Sequence, residues 1–202
     1  MRLLFAALLV LGPLNAFQRF VVEPMVPLFR AVIEDLDGQF VITDARLTRA
    51  GPNDVVLFRA NLRGPVTVVG GVVYPFGSHG IPAGGYQVTY TLSGVLLYGA
   101  LLLIIALAWP ARGVRELAVR MLISIFFVGV LLLIDAPTTV VAELRHLVET
   151  SFDRTAVGSW MIWSRFLMGG GGIALSILLA VVAIHVGRRC SRFPAAHNHL
   201  LA

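Results

Sequence analysis

Three long apolar runs, residues 92–109, 117–134 and 163–186, and a shorter one at 3–17 stand apart from a stretch of mixed polarity between 30 and 91. A helix that crosses a hydrocarbon core of about 30 Å needs about 20 apolar residues at about 1.5 Å each. The three long runs meet or approach that length, and each predicts a membrane-spanning helix. The first run is shorter and carries Pro13 and Asn15. It fits either a secretory signal with Arg2 as its charged start or an uncleaved anchor. Leu14 is bulky where a cleavage site wants a small residue, which favours the anchor. Its helix is expected to continue through Arg19 and Glu23, an i, i+4 pair, before Pro24 and Pro27 loosen it.

Between the first and second runs the period changes. In YQVTYTL, Tyr86, Val88 and Tyr90 alternate with Gln87 and Thr89, the two-residue repeat of a strand with one covered face. QFVITDARL, DVVLFRANL and PVTVVGGVVY are β-branched and aromatic runs broken by GPND, RGP and the glycine-rich FGSHGIPAGG. Three or four such strands predict a small sheet. About 60 residues bury too little apolar surface to be comfortably stable alone, so the sheet is expected to rest on the membrane surface or on a partner. The last strand enters the second run through Leu92, Ser93 and Gly94 with almost no linker. The expected architecture is a four-helix transmembrane bundle with a small β-rich extracytoplasmic domain between the first and second spans. Its parts are a membrane anchor with an amphipathic extension at 1–29, the β-rich domain at 30–91, three transmembrane helices at 92–187 with a short outer amphipathic segment at 136–158, and a cytoplasmic tail at 188–202.

Composition strengthens the membrane assignment. Hydrophobic residues make up 57% of the 202 and charged residues 13%, with a mean hydropathy of +0.84, whereas soluble domains average about 25% charged. All 16 basic residues are arginine, which excludes lysine-based chemistry. The single cysteine, Cys190, allows no internal disulfide. Arg112, Arg115 and Arg120 crowd the link between the second and third runs, and Arg188, Arg189 and Arg192 follow the last. The positive-inside rule places both clusters, and with them both termini, in the cytoplasm of an inner membrane. The arginines between 30 and 63 lie in a long loop, where the rule weakens, and Glu34, Asp35, Asp37, Asp44 and Asp54 accompany them. The net charge of +5 is thus an inner collar beside a nearly balanced outer domain, which gives no support to nucleic-acid binding.

Residues able to do chemistry are sparse. His79 stands in the loop GSHG without a second ligand nearby. Glu143, His146 and Glu149 share a helical face at i, i+3 and i+6 with Arg145 beside them. That face would hold a metal only if His79 or Asp135 approached; otherwise it is the polar side of an interfacial helix with Val140, Leu144, Leu147 and Val148 turned toward lipid. Asp135, at the end of LLLIDAP, either touches water or pairs with Arg165 across two spans. GxSxG, HExxH, phosphate-loop and dinucleotide motifs do not occur. Ser124, Ser176 and His185 would be the residues of an intramembrane hydrolase, and no glycine-serine-glycine elbow accompanies them. No cofactor or metal site is expected.

The stretch SWMIWSRFLMGGGG poses a separate question. Trp160 and Trp163 fall where the last span meets the outer surface, and indole rings favour that wet edge. Gly169 to Gly172 follow inside the span. Four glycines cost a helix in water roughly 3 to 4 kcal/mol relative to alanine, so something must offset them. Gly170 with Ala174 and Gly172 with Ser176 have the small-xxx-small spacing that lets helices approach, with alanine as an acceptable substitute. The alternative is an opened helix whose free amides face a ligand.

The order of parts, with the Tyr/Leu/Gly-rich entry Tyr90, Leu92, Gly94, Leu97, Tyr98 and Gly99, resembles the small membrane proteins associated with exosortases, closest to the exosortase H-associated type. The resemblance implies a non-catalytic accessory to a transpeptidase that handles exported proteins, with membrane lipid and a larger integral membrane protein as partners. The chain is not itself an exosortase, because that family needs an outer-face cysteine and Cys190 falls on the other side. A small-ligand-binding or transporter-like protein using the glycine break, and an intramembrane enzyme, are the alternatives.

Overall fold

The computed structural model describes residues 2–51, 53–63, 66–69, 72–75, 85–152 and 159–190. The chain opens with α1 (Arg2–Val22), a single 3-10 turn (Glu23–Met25) and α2 (Val26–Leu36). The turn falls where Pro24 and Pro27 remove two backbone donors. Arg19 approaches Asp54 (Nε to Oδ2, 4.0 Å), so its ion pair reaches the sheet and is not the i, i+4 contact with Glu23 that the spacing predicts.

Strands β1 (Phe40–Ala50), β2 (Asn53–Leu62) and β5 (Tyr86–Thr91) form an antiparallel sheet in the order β1-β2-β5. β3 (Val66–Val69) and β4 (Val72–Pro75) pair with each other as a separate ribbon, so the expected single sheet is divided. On the covered face Phe40, Ile42, Val56, Phe58, Val88 and Tyr90 are buried.

A three-stranded sheet cannot cover its own apolar face, and the cover comes from helices. One is α2, through Val26, Phe29 and Ile33. The other is the far half of α4 (Val114–Phe152), through Val140, Val141, Leu144 and Val148. This corrects two expectations. Within the described residues, the segment at 136–158 is not a separate amphipathic piece on the surface; as far as Phe152 it continues one 39-residue helix. Three of its four apolar residues, Val140, Leu144 and Val148, face the sheet and not the surroundings, while Leu147 is partly exposed. Residues 153–158 lie outside the described part. The helix passes Pro137, which removes one backbone donor, and Thr138 Oγ1 donates to the Ile134 carbonyl at 2.7 Å.

Polar ties pin the cover to the sheet. Arg145 Nε donates to the buried Asp37 Oδ2 at 2.6 Å, joining α4 to the end of α2. Glu34 Oε1 accepts from the Ile42 amide at 3.1 Å, joining α2 to β1.

The remaining helices form a bundle. α3 (Ser93–Ala108) packs against α1, α4 and α6 (Gly172–Cys190), around Leu102, Leu131 and Ala180. Two stretches, Val114–Thr150 and Trp160–Cys190, are long and apolar enough to cross a membrane, and only 22% and 39% of their most apolar windows are buried. The other two expected spans are shorter as apolar helices, Arg2–Pro13 and Leu96–Ala108. Leu122, Ile125 and Phe126 on α4, Ile177, Leu178 and Val181 on α6, and Leu3 to Phe5 and Leu8 on α1 all point outward. Soluble monomers rarely carry an apolar surface of that extent.

At the far end of the bundle from the sheet, Arg120 is fully buried. Its guanidinium donates to the Ala106 and Trp109 carbonyls (3.0 and 2.7 Å), which satisfies the open end of α3, and to Glu116 Oε1 one turn back. Glu116 Oε2 accepts from the Arg112 amide at 3.0 Å, and Arg188 of α6 approaches Glu116 at 3.8 Å while lying 5.9 Å from the Trp109 ring centroid. The link that reads as a solvated arginine collar is, at Arg120, a buried knot tying three helices.

Leu144 and Leu122 separate the two surfaces of α4. Leu144→Ala leaves a hole between helix and sheet and should cost about 2 to 5 kcal/mol, whereas Leu122→Ala should cost little, since Leu122 is 73% exposed. Unfolding of the full-length protein in detergent micelles checks the pair; equal losses would contradict the assignment of faces.

Candidate functional site

Where the sheet meets the bundle there is a cleft of about 500 Å³. One wall is β5, which contributes five consecutive residues, Gln87 to Thr91. The opposite wall is α4, with Asp135, Thr139, Glu143 and Leu147. Residues four apart on a helix share a stripe, so these side chains form a line along α4. Ser93, Gly94 and Tyr98 from the start of α3 close one end together with Met168.

The walls are joined by a hydrogen bond from Tyr90 Oη to Asp135 Oδ2. Tyr90 is buried on β5, and burial first, then the neighbouring Asp135 carboxylate, holds its phenol well above the ordinary value of 10.0. Tyr90 is therefore a donor throughout the neutral range. The sequence offered Arg165 as the partner of Asp135. The structure gives Asp135 a tyrosine instead, and no ion pair joins it to Arg165, which is exposed. The two-residue alternation of β5 already turns Tyr90 toward the covered side; what the sequence lacked was the knowledge that α4 continues past Asp135 beneath that strand.

The glycine run lies beside this cleft. α5 (Ser159–Phe166) continues into a wide π turn (Leu167–Gly171) before α6 begins. Gly170 has φ +118° and ψ −14°, a backbone conformation that side-chain-bearing residues rarely adopt. The Leu167 carbonyl left over by the irregular turn accepts the Gly172 amide and the Tyr98 hydroxyl, the latter at 3.1 Å. Gly172 lies against the Tyr98 ring, and a Cβ built there would stand inside it. Its neighbours in the small-xxx-small pattern behave otherwise. Gly169 and Ala174 are exposed, a Cβ on Gly169 or Gly170 would meet nothing, and Ser176 Oγ bonds back to the Gly172 carbonyl at 2.8 Å. The run is thus an interrupted helix with two close contacts, Gly171 against the Phe166 ring and Gly172 against Tyr98. Of the two tryptophans, Trp160 packs on the sheet core, and Trp163 is partly exposed with its ring 5.5 Å from Phe166.

The other candidates are scattered. Ser124 is buried with no partner for its hydroxyl among the described residues, Ser176 is taken by backbone, His185 is exposed, and no hydrogen bond links any of them. Glu143, His146 and Glu149 belong to no metal-holding cluster among the described residues. His79 and Arg192 lie outside those residues.

No family model, curated protein or solved structure matches the chain.

The Tyr98 contact makes a sharp steric prediction. Spacing alone would let alanine replace Gly172; the ring forbids it. Gly172→Ala should lower the thermal midpoint of the purified protein, and adding Tyr98→Ala should lower it by less than the two separate losses together. Additivity within about 0.3 to 0.5 kcal/mol would show that the ring and the glycine do not interact.

Proposed function

We propose that this protein is a non-catalytic accessory or scaffold subunit of an inner-membrane complex, holding its sheet on the extracytoplasmic side for a larger integral membrane protein. In this reading all four helical runs lie in the bilayer, with lipid against the outward apolar residues of α1, α4 and α6, and both termini are cytoplasmic. α3 is short for a span, about 24 Å at about 1.5 Å per residue. Arg120 supports its insertion by completing hydrogen bonds at the open end of the helix, which hydrocarbon would leave unmet.

The observation that carries the proposal is α4. One unbroken helix has an outward apolar half and a second half buried under the sheet. A sheet fixed to a span in this way has a set height and orientation above the membrane, which suits presentation to a partner. The likeness to exosortase-associated proteins is consistent with such a role and names the kind of complex to look for first.

The glycine-interrupted helix favours a second reading, a small-ligand-binding or transporter-like protein. Its specific support is that Met168, inside the interrupted turn, lines the cleft.

Two measurements test the proposal. In intact cells, Ala50→Cys, on the exposed end of β1, should react with an impermeant thiol reagent while Cys190 reacts only after lysis. A larger membrane protein should copurify in mild detergent at fixed stoichiometry. Labelling of Cys190 in intact cells overturns the orientation, and recovery from native membranes as a free protein overturns the accessory role. The ligand-binding reading predicts that free state, stabilised by a small molecule.

A further inference from the structure

We propose that the free edge of β5 receives an extended polypeptide segment as a fourth strand, with two basic side chains four residues apart set against Asp135 and Glu143. This rests on the accessory reading above and specifies the chemistry of the partner.

The first ground is the state of the two sheet edges. Unpaired strand edges invite strand addition, and proteins usually blunt them with charge, proline or a bulge. β1 is blunted: its register with β2 shifts between Ile42 and Asp44, and it carries Asp44, Arg46 and Arg49. β5 is not. Its sequence YQVTYT has no charge, proline or glycine, its pairing with β2 is regular from Tyr86 to Thr91, and no described strand covers its other side.

The second ground is the shape of the space beside that edge. The cleft follows β5 for five consecutive residues, roughly 13 Å at about 3.3 Å per step. The α4 wall from Asp135 to Glu143 extends roughly 12 Å at about 1.5 Å per residue. A groove with a strand edge on one side and a helix of matching length on the other fits an extended chain, whose backbone would continue the ladder.

The third ground is charge. Asp135 and Glu143 both line the groove, and among the described residues no arginine does. Asp135 gives one oxygen to Tyr90, and Glu143 has no hydrogen bond or ion pair among the described residues. Residues i and i+4 of a strand fall on one face about 13 Å apart, which matches the roughly 12 Å of helix rise between Asp135 and Glu143. A second copy of the chain pairing edge to edge would not answer this charge, because β5 carries no basic residue.

The experiment pans a phage-displayed library of random nine-residue peptides on the full-length protein in lipid nanodiscs. Enriched sequences should hold arginine or lysine at two positions four apart, among β-branched residues and without proline between them. A synthetic peptide of that sequence should bind at least tenfold more weakly to Glu143→Gln, and at least tenfold more weakly to the wild type when alternate backbone amides are N-methylated. Glu143 has no hydrogen bond or ion pair among the described residues, so the variant should keep its thermal midpoint, and this separates lost binding from lost folding. Selection without a basic pair, indifference to Glu143→Gln or tolerance of N-methylation overturns the proposal. Disulfide crosslinks between two copies through Thr89→Cys overturn it in favour of self-pairing. If a copurifying partner is retained undiminished by Glu143→Gln, the groove assignment fails and the accessory role stands. If basic peptides bind as described and no partner copurifies, the groove stands and the accessory role fails.

Discussion

The three-stranded sheet has one apolar face and too few strands to bury it, and the rest of the structure follows from how that face is covered. α2 supplies part of the cover, and the far half of α4 supplies the remainder. Because the near half of α4 belongs to the helical bundle, covering the sheet also fixes the sheet to the bundle. Burial of Leu144 and Val148, the Arg145 to Asp37 contact and the Tyr90 to Asp135 bond all act along this one helix. Their direct effect is local packing; their joint consequence is that the sheet is held to the bundle.

The same helix sets two polar sites, one near its start and one near its middle. Near Val114, Arg120 and Glu116 fold back on the end of α3 and meet Arg188, so charge is used internally to satisfy the open carbonyls there. Near Asp135, the chain leaves the apolar run and α4 begins to face β5. Tyr98 borders the cleft there together with β5 and the α4 stripe, and its ring fills the space that Gly172 leaves open. The glycine run, the tyrosine and the cleft are parts of one junction.

Local periodicity made much of this legible. The alternation in YQVTYT gave β5 and the inward turn of Tyr90, the proline pair at 24 and 27 marked the turn between α1 and α2, and the apolar runs located α3, α4 and α6. What stayed hidden depended on contacts between distant segments. Asp135 in LLLIDAP looked like the end of a span; Pro137 just beyond it lowers helix propensity, and the sheet core gained by Val140 to Val148 outweighs that cost. Arg120 looked like one more collar arginine, although Glu116 four residues earlier was a legible hint of an internal pair. The partner of Asp135 was sought among charges on neighbouring spans, and a tyrosine from the sheet was nearer.

The central claim is that α4 is one continuous helix joining the bundle to the sheet. Spin labels at Leu122 and Leu147, one on each half and both partly or fully exposed, measure it directly in nanodiscs by electron–electron resonance. A continuous helix predicts a single narrow distance near about 37 Å between the two backbone positions, before allowance for the label arms. A broad distribution, or a distance shorter by about 10 Å or more than that rise predicts, would mean that the helix breaks near Pro137 and that the sheet is not carried rigidly by the bundle.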